Sequence, residues 1–279
     1  MRAVFTVAHL TIHEARRRRI ASAAALCGVA FLVVFWVASY FAFRGIVRNT
    51  GLAFVTRQML LASLTAVGLY ATNFLCALLA VLLPVDALAG EIESGVMQTL
   101  ASKPVRRADI VLGKWLAHSA ILSAYLLLLA GGVLLASRVI AGYVALHIGA
   151  CLALMVLEKV LLVAASIAGG TRLSTIANGV IVFGWYGVAF IGGWVEQIGT
   201  VAGLDAVRNV GIVASLLSPA DALWRLASFT MVPAAVRTLG PASILIGPSV
   251  PSMLMVYWGG AFAVALLAWG VRSFEQRAL

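Results

Sequence analysis

Few side chains in this sequence could do chemistry, and most of those stand alone. Glu158 and Lys159 are adjacent opposite charges inside an otherwise uncharged run. A charge in lipid is costly and often marks a translocation path, so the pair is a candidate pathway or membrane-interface site. A packing role is the competing expectation. Counted from Ala141, Glu158 lies ~26 Å along its helix, near a membrane boundary where a lysine can snorkel. Neighbours at i and i+1 do not face each other, so the two are not expected simply to neutralise one another. His9 and His13 are four apart, as a shared metal ion would need, but no third ligand is near and a solvated helix face accounts for them better. His118 and His147, single in apolar runs, are expected to pack or hydrogen-bond, and Asn73 to bond across helices. Cys27, Cys76 and Cys151 fall in different apolar runs without a C-x-x-C, and read as small core residues.

Enzyme signatures are missing from the sequence. Gly113-Lys114 is followed by Trp115 and leads into an apolar helix, so it is no phosphate-binding G-x-x-x-x-G-K-[ST] loop. Neither H-E-x-x-H nor G-x-S-x-G occurs, and no His, Cys and carboxylate residues cluster at metal spacing. The sequence predicts no catalytic residue, no metal site and no cofactor held by this chain.

The elements that position these residues follow from composition. The chain is 63% hydrophobic and 11% charged, with a mean hydropathy of +1.05. Soluble surfaces need roughly 25 to 35% charged residues, so this is an all-α integral membrane protein. Its net charge of +10 does not signal nucleic acid, because the basic residues sit between apolar runs rather than on one patch with stacking aromatics. Six spans are expected, at 20–43, 59–83, 115–136, 141–168, 173–195 and 252–270, with a tight turn at Ser137 to Ile140. The first span is too long for a signal-peptide core. Residues 1–19 place Val4, Phe5, Ala8, Ile12 and Ala15 opposite His9, His13, Arg16 and Arg17, the pattern of an interfacial helix. Six spans put both termini on one side. Assigning that side to the cytoplasm gives twelve Lys and Arg inside against seven outside, in keeping with the positive-inside rule. The whole of 1–279 is read as one domain.

One long polar interval, Pro84 to Lys114, separates spans two and three. Val85, Leu88, Ile92, Val96, Thr99 and Leu100 share one helical arc, and Asp86, Glu91, Glu93, Ser94 and Gln98 the other. An amphipathic helix is expected, starting at Pro84 and ending before Lys103 and Pro104, with a second helix beginning near Asp109.

Glu91, Glu93, Gly95, Leu100, Pro104, Arg107, Ile110, Gly113 and Lys114 stand in the order E-x-E-x-G, L, P-x-x-R-x-x-I-x-x-G-K. In this the chain resembles the ABC-2 type permeases, membrane subunits of ATP-binding-cassette transporters. The resemblance implies that 84–107 is a cytoplasmic coupling helix region. It assigns ATPase coupling to Glu91, Ile92, Glu93, Gly95, Leu100, Pro104 and Arg107. It further implies a homodimer in a bacterial inner membrane, termini in the cytoplasm, and a cytoplasmic ATPase subunit that binds the ATP and Mg. Within the family, LLSPADALWRL (Leu216 to Leu226) is similar to an external segment of permeases linked to maturation of periplasmic copper enzymes such as nitrous oxide reductase.

Region 196–250 is neither span nor ordinary loop: its apolar stretches are short and broken by prolines. Ser218, Pro219 and Asp221 are spaced as N-cap, N1 and N3 of a helix carrying Trp224, which suits a membrane interface. The resemblance implies short re-entrant helices forming an external gate with Ser218, Pro219, Asp221, Trp224 and Arg225. A partly folded periplasmic loop is the plainer reading. Two functions from different classes follow: a permease, with export the expected direction, and a non-transporting scaffold or signalling subunit that binds a periplasmic accessory protein. A channel or secondary carrier fits less well, because the spans lack broken helices and midplane charges.

Overall fold

A backbone in hydrocarbon must satisfy its own N–H and C=O groups, and the apolar runs of this chain do so as helices. The computed structural model describes residues 2–17, 19–48, 53–93, 95, 106–233 and 249–277. In chain order the helices are α1 (Arg2–Arg17), α2 (Arg19–Arg48), α3 (Phe54–Leu82), α4 (Ala89–Glu93) and α5 (Arg107–Ala141). They continue as α6 (Ile148–Gly169), α7 (Thr175–Ala202), α8 (Asp205–Leu217), α9 (Ala220–Met231) and α10 (Leu254–Glu275). Six of them, α2, α3, α5, α6, α7 and α10, are long and apolar enough to cross a membrane.

The core lies where α3, α5 and α6 meet. Leu61, Leu69, Leu122, Leu126, Leu129, Met155 and Leu161 are fully buried there, and α9 and α10 close over α6. By contrast α2 is peripheral, with only 6% of its apolar window buried. Cys27, on that helix, is exposed rather than a core residue; Cys76 and Cys151 are buried as expected.

The interfacial helix forms and packs along the start of α5. Contact is close because residue 113 is glycine: a Cβ there would lie 2.7 Å from Val7 Cβ and 2.9 Å from the Val4 carbonyl. Ala8, Thr11 and Ala15 are buried on this face, while His9 and His13 stay exposed.

Several boundaries differ from the sequence reading. Ser137 to Ile140 is no turn. Ser137 is buried and meets Thr65 Oγ1 at 2.8 Å, and α5 runs on until Gly142, whose φ of 67° ends it in the left-handed region. The fourth span therefore starts at Ile148, seven residues later than expected from position 141. The coupling stretch is not one continuous helix. Leu83 to Leu88 form turns, α4 has 5 residues, and Gly95 takes φ 75°. Asn178 Nδ2 holds the Val85 carbonyl at 3.2 Å, which diverts that acceptor from a helical ladder. The second helix begins at Arg107, with Asp109 in its first turn.

Residues 196–233 are more helical than a partly folded loop, and 234–248 of that region lie outside the described residues. α7 continues through Glu196 to Ala202, α8 folds back along it, and α9 leaves α8 at a bend of 105°. Glycine permits the α7–α8 closeness: a Cβ on Gly211 would lie 2.5 Å from the Glu196 amide nitrogen.

Candidate functional site

Charged residues gather at three levels of the bundle. At the end that carries α1 and the close of α10, Lys114 Nζ sits 2.5 Å from Glu91 Oε1, with side-chain exposures of 5% and 12%. This largely desolvated pair fastens α4 to α5. Glu93 is exposed, and its carboxylate accepts the Thr175 amide at the start of α7, 3.3 Å away. The two glutamates, expected on one polar arc, thus have different surroundings: Glu91 is engaged by Lys114 and Glu93 faces outward. Ile92 is half-buried against the core. Leu100 and Pro104 lie outside the described residues.

Arg107 does what its sequence position gave no sign of. Its Nη1 donates to the carbonyls of Phe274 at 3.1 Å, Glu275 at 3.0 Å and Arg277 at 2.6 Å. Phe274 and Glu275 end α10 and Arg277 lies just beyond it; the Phe274 carbonyl also takes the Arg277 amide at 3.3 Å, and the guanidinium adds a donor at this helix end and complements its dipole. Arg277 Nη1 in turn donates to the Thr171 carbonyl at 2.5 Å, and Arg172 Nε to Ser273 Oγ at 2.6 Å. The start of α5, the α6–α7 turn and the end of α10 are therefore tied together, and displacement of one is passed to the others. That is mechanical rather than catalytic capacity.

At mid-bundle, Lys159 Nζ lies 2.8 Å from Glu158 Oε1, and both side chains are wholly buried. Asn73 bridges them from α3: its Oδ1 accepts from Lys159 at 2.9 Å and its Nδ2 donates to Glu158 at 3.3 Å. The expected interhelical bond from Asn73 is present. Two expectations are corrected. The neighbours do pair, because the flexible lysine stem curls back across one residue. The pair is also central rather than near a boundary, since α6 begins at Ile148 and places Glu158 ~15 Å along it. His118 Nδ1 lies 2.8 Å from the Lys114 carbonyl, a packed role as expected.

At the opposite end, Arg225 is buried among carboxylates. Its Nη2 donates to Glu196 Oε2 at 2.8 Å and to Ser215 Oγ at 2.9 Å, and its Nε to Asp221 Oδ2 at 2.9 Å. Ser249 Oγ donates to Glu196 Oε1. One guanidinium thus joins α7, α8 and α9. The expected capping set does not form: Pro219 takes the N-cap position, Ser218 ends α8, and Asp221 is drawn to Arg225. Trp224 is not at an interface; it is 4% exposed, edge-on to Tyr70 with ring centroids 5.8 Å apart. Glu196 was missed in the sequence. Only its position six residues short of the end of a 28-residue apolar helix, 29 residues before its arginine, could have singled it out.

Comparison with known proteins places this geometry in context. A family model described as "ABC-2 family transporter protein" matches residues 8–279. The chain is also 34% identical over 87 residues to "Probable ABC transporter permease protein NosY" of Stutzerimonas stutzeri, a match spanning 31% of this chain and 30% of that relative.

Proposed function

The chain belongs to the ABC-2 family of transporter proteins, and from that premise we propose that it forms an export pathway as a homodimer, driven through the α4–α5 segment. It is a multi-pass membrane protein, and membership implies a transport subunit working with a partner ATPase. The finer reading places α1, α4 and both termini on the cytoplasmic side of a bacterial inner membrane, where the ATPase binds ATP and Mg.

The carrying observation is the division between two glutamates. Glu91 is locked to Lys114 inside the chain, while Glu93 stands exposed on the same helix with its backbone anchored through α4. A partner that engages Glu93 therefore pulls on a helix already bolted to α5, and through Arg107 on α10. Closure of the ATPases would move these helices as rigid bodies and change the side to which the pathway opens. Resemblance of Leu216 to Leu226 to a segment of copper-enzyme maturation permeases supports a role in periplasmic metalloenzyme maturation, with a periplasmic accessory protein as a further partner.

Glu93→Lys in the co-expressed complex tests the contact. Membrane insertion is expected to be unchanged and co-purification of the ATPase lost. Undiminished co-purification would rule the contact out, and function that persists with a catalytically dead ATPase would favour a scaffold.

A further inference from the structure

α2 and α5 both end on the side of the bundle away from the chain termini, and a groove of about 680 Å³ opens between their last turns. Trp36, Val37, Phe41 and Arg44 line it from α2, and Val139 and Ile140 from α5. Below it the helices touch: Trp36 Nε1 donates to the Gly132 carbonyl at 3.1 Å, and a Cβ on Gly132 would lie 2.6 Å from Leu32 Cδ2. Arg44 stands at the mouth, close to the end of the apolar span at Ile46 and ~12 Å along the helix from Trp36. The groove therefore runs most of the ~15 Å depth of one hydrocarbon leaflet. Arg44 is exposed, its guanidinium lies 4.6 Å from the Tyr40 ring centroid, and its Nη1 donates to the Tyr40 hydroxyl. Nε and Nη2 have no acceptor among the described residues.

Charge selects what fits. Neither 15–85 nor 110–157 contains an Asp or Glu, so α2, α3 and all but the first turn of α5 carry no carboxylate. The single acid of α5, Asp109, lies ~45 Å down the helix from Val139. Glu196, Asp205 and Asp221 belong to α7, α8 and α9, and none of them lines the groove. Against this stand Arg44, Arg48 and Arg138, all exposed in the last turns of the two helices. An anionic head finds donors there and no repelling charge. The ammonium of a zwitterionic head would meet arginines without a carboxylate to receive it. Depth agrees, because Tyr40 and Trp36 are the amphipathic rings expected near headgroup level.

We propose that this groove holds an anionic phospholipid of the bilayer. Its phosphodiester oxygens accept from the Arg44 guanidinium, and one acyl chain lies along Phe41, Val37 and Val139 towards Trp36. The site needs neither the ATPase nor a second copy of the chain, so its failure would leave the transport reading standing.

The full chain, delipidated in detergent, is titrated with dioleoyl phosphatidylglycerol, phosphatidylethanolamine and phosphatidylcholine, and with glycerophosphoglycerol as the headgroup alone, and adducts are read by native mass spectrometry. Phosphatidylglycerol is expected to bind one site per chain about tenfold more tightly than the other two lipids, the weight of one charge-assisted hydrogen bond, and the bare headgroup not at all. Arg44→Gln removes the guanidinium from an exposed position and should abolish the preference. Val37→Trp fills the groove from a position 54% exposed and keeps every charge, and should weaken phosphatidylglycerol about as much; Val139→Trp serves the same end if that variant fails to fold. Arg208→Gln, on α8 and outside the groove, lowers the net charge equally and should leave the preference intact. Equal binding of the three lipids, a preference that survives Arg44→Gln or a folded filled variant, or an equal loss in Arg208→Gln overturns the proposal. Glycerophosphoglycerol binding as tightly as the lipid would assign the site to a soluble phosphodiester and overturn the lipid.

Discussion

Glu158 and Lys159 carry opposite charges into a position with no exposure, and Asn73 supplies the third partner. Buried pairs of this kind add little net stability, but removing one member strands the other. Glu158→Leu or Lys159→Met alone should lower unfolding stability by ~3–5 kcal/mol, while the two together should recover most of it. Thermal unfolding of the three variants in one detergent, read as a double-mutant cycle, checks this; additive losses would mean that the charges act separately. The identity of these residues was legible, since a charge in an apolar run announces itself. Their pairing and depth were not: the pairing depends on how the lysine stem curls, and the depth on where α6 begins, of which the left-handed Gly142 that ends α5 leaves only a weak mark among so many glycines. Arg225 and Glu196 follow the same logic, because an ion pair spanning 29 residues is fixed by the fold-back of α8 and not by any local pattern.

Helices depend here on single contacts at their ends. Arg107→Ala removes the donor that closes α10 and should cost ~1–3 kcal/mol. Amide exchange in 271–277 should accelerate while that of α3 stays unchanged; equal acceleration everywhere would mean global loosening rather than a lost cap. Gly113→Val should push α1 off α5, because a side chain there meets the Val4 backbone, which cannot rotate away. The readout is faster amide exchange across 2–17 with α5 still protected, and unaltered protection of α1 would contradict the close packing. Element existence was readable from apolar runs, and the structure keeps six long apolar helices with an amphipathic one before them. The coupling stretch was over-read as one helix: its wheel pattern is genuine, but Asn178 takes the Val85 carbonyl and Gly95 turns the chain. Such tertiary competition leaves no periodic trace in a sequence.

The whole molecule divides into a tied end, a packed middle and a far end built on one buried guanidinium. The tied end joins α4, α5, α7 and α10 through Lys114, Glu93, Arg107 and Arg277, so a force applied at α4 reaches helices on several sides of the core. The far end holds α7, α8 and α9 through Arg225, with a cavity of about 790 Å³ beside it. Architecture of this kind suits a subunit that is moved rather than one that reacts. A photo-crosslinking residue placed at position 93 in the membrane-embedded, ATPase-containing complex, and separately at position 217 on the far end, puts that to the test. The account predicts capture of the ATPase from position 93 and none from 217; capture from 217, or none from 93 in an intact complex, would contradict it.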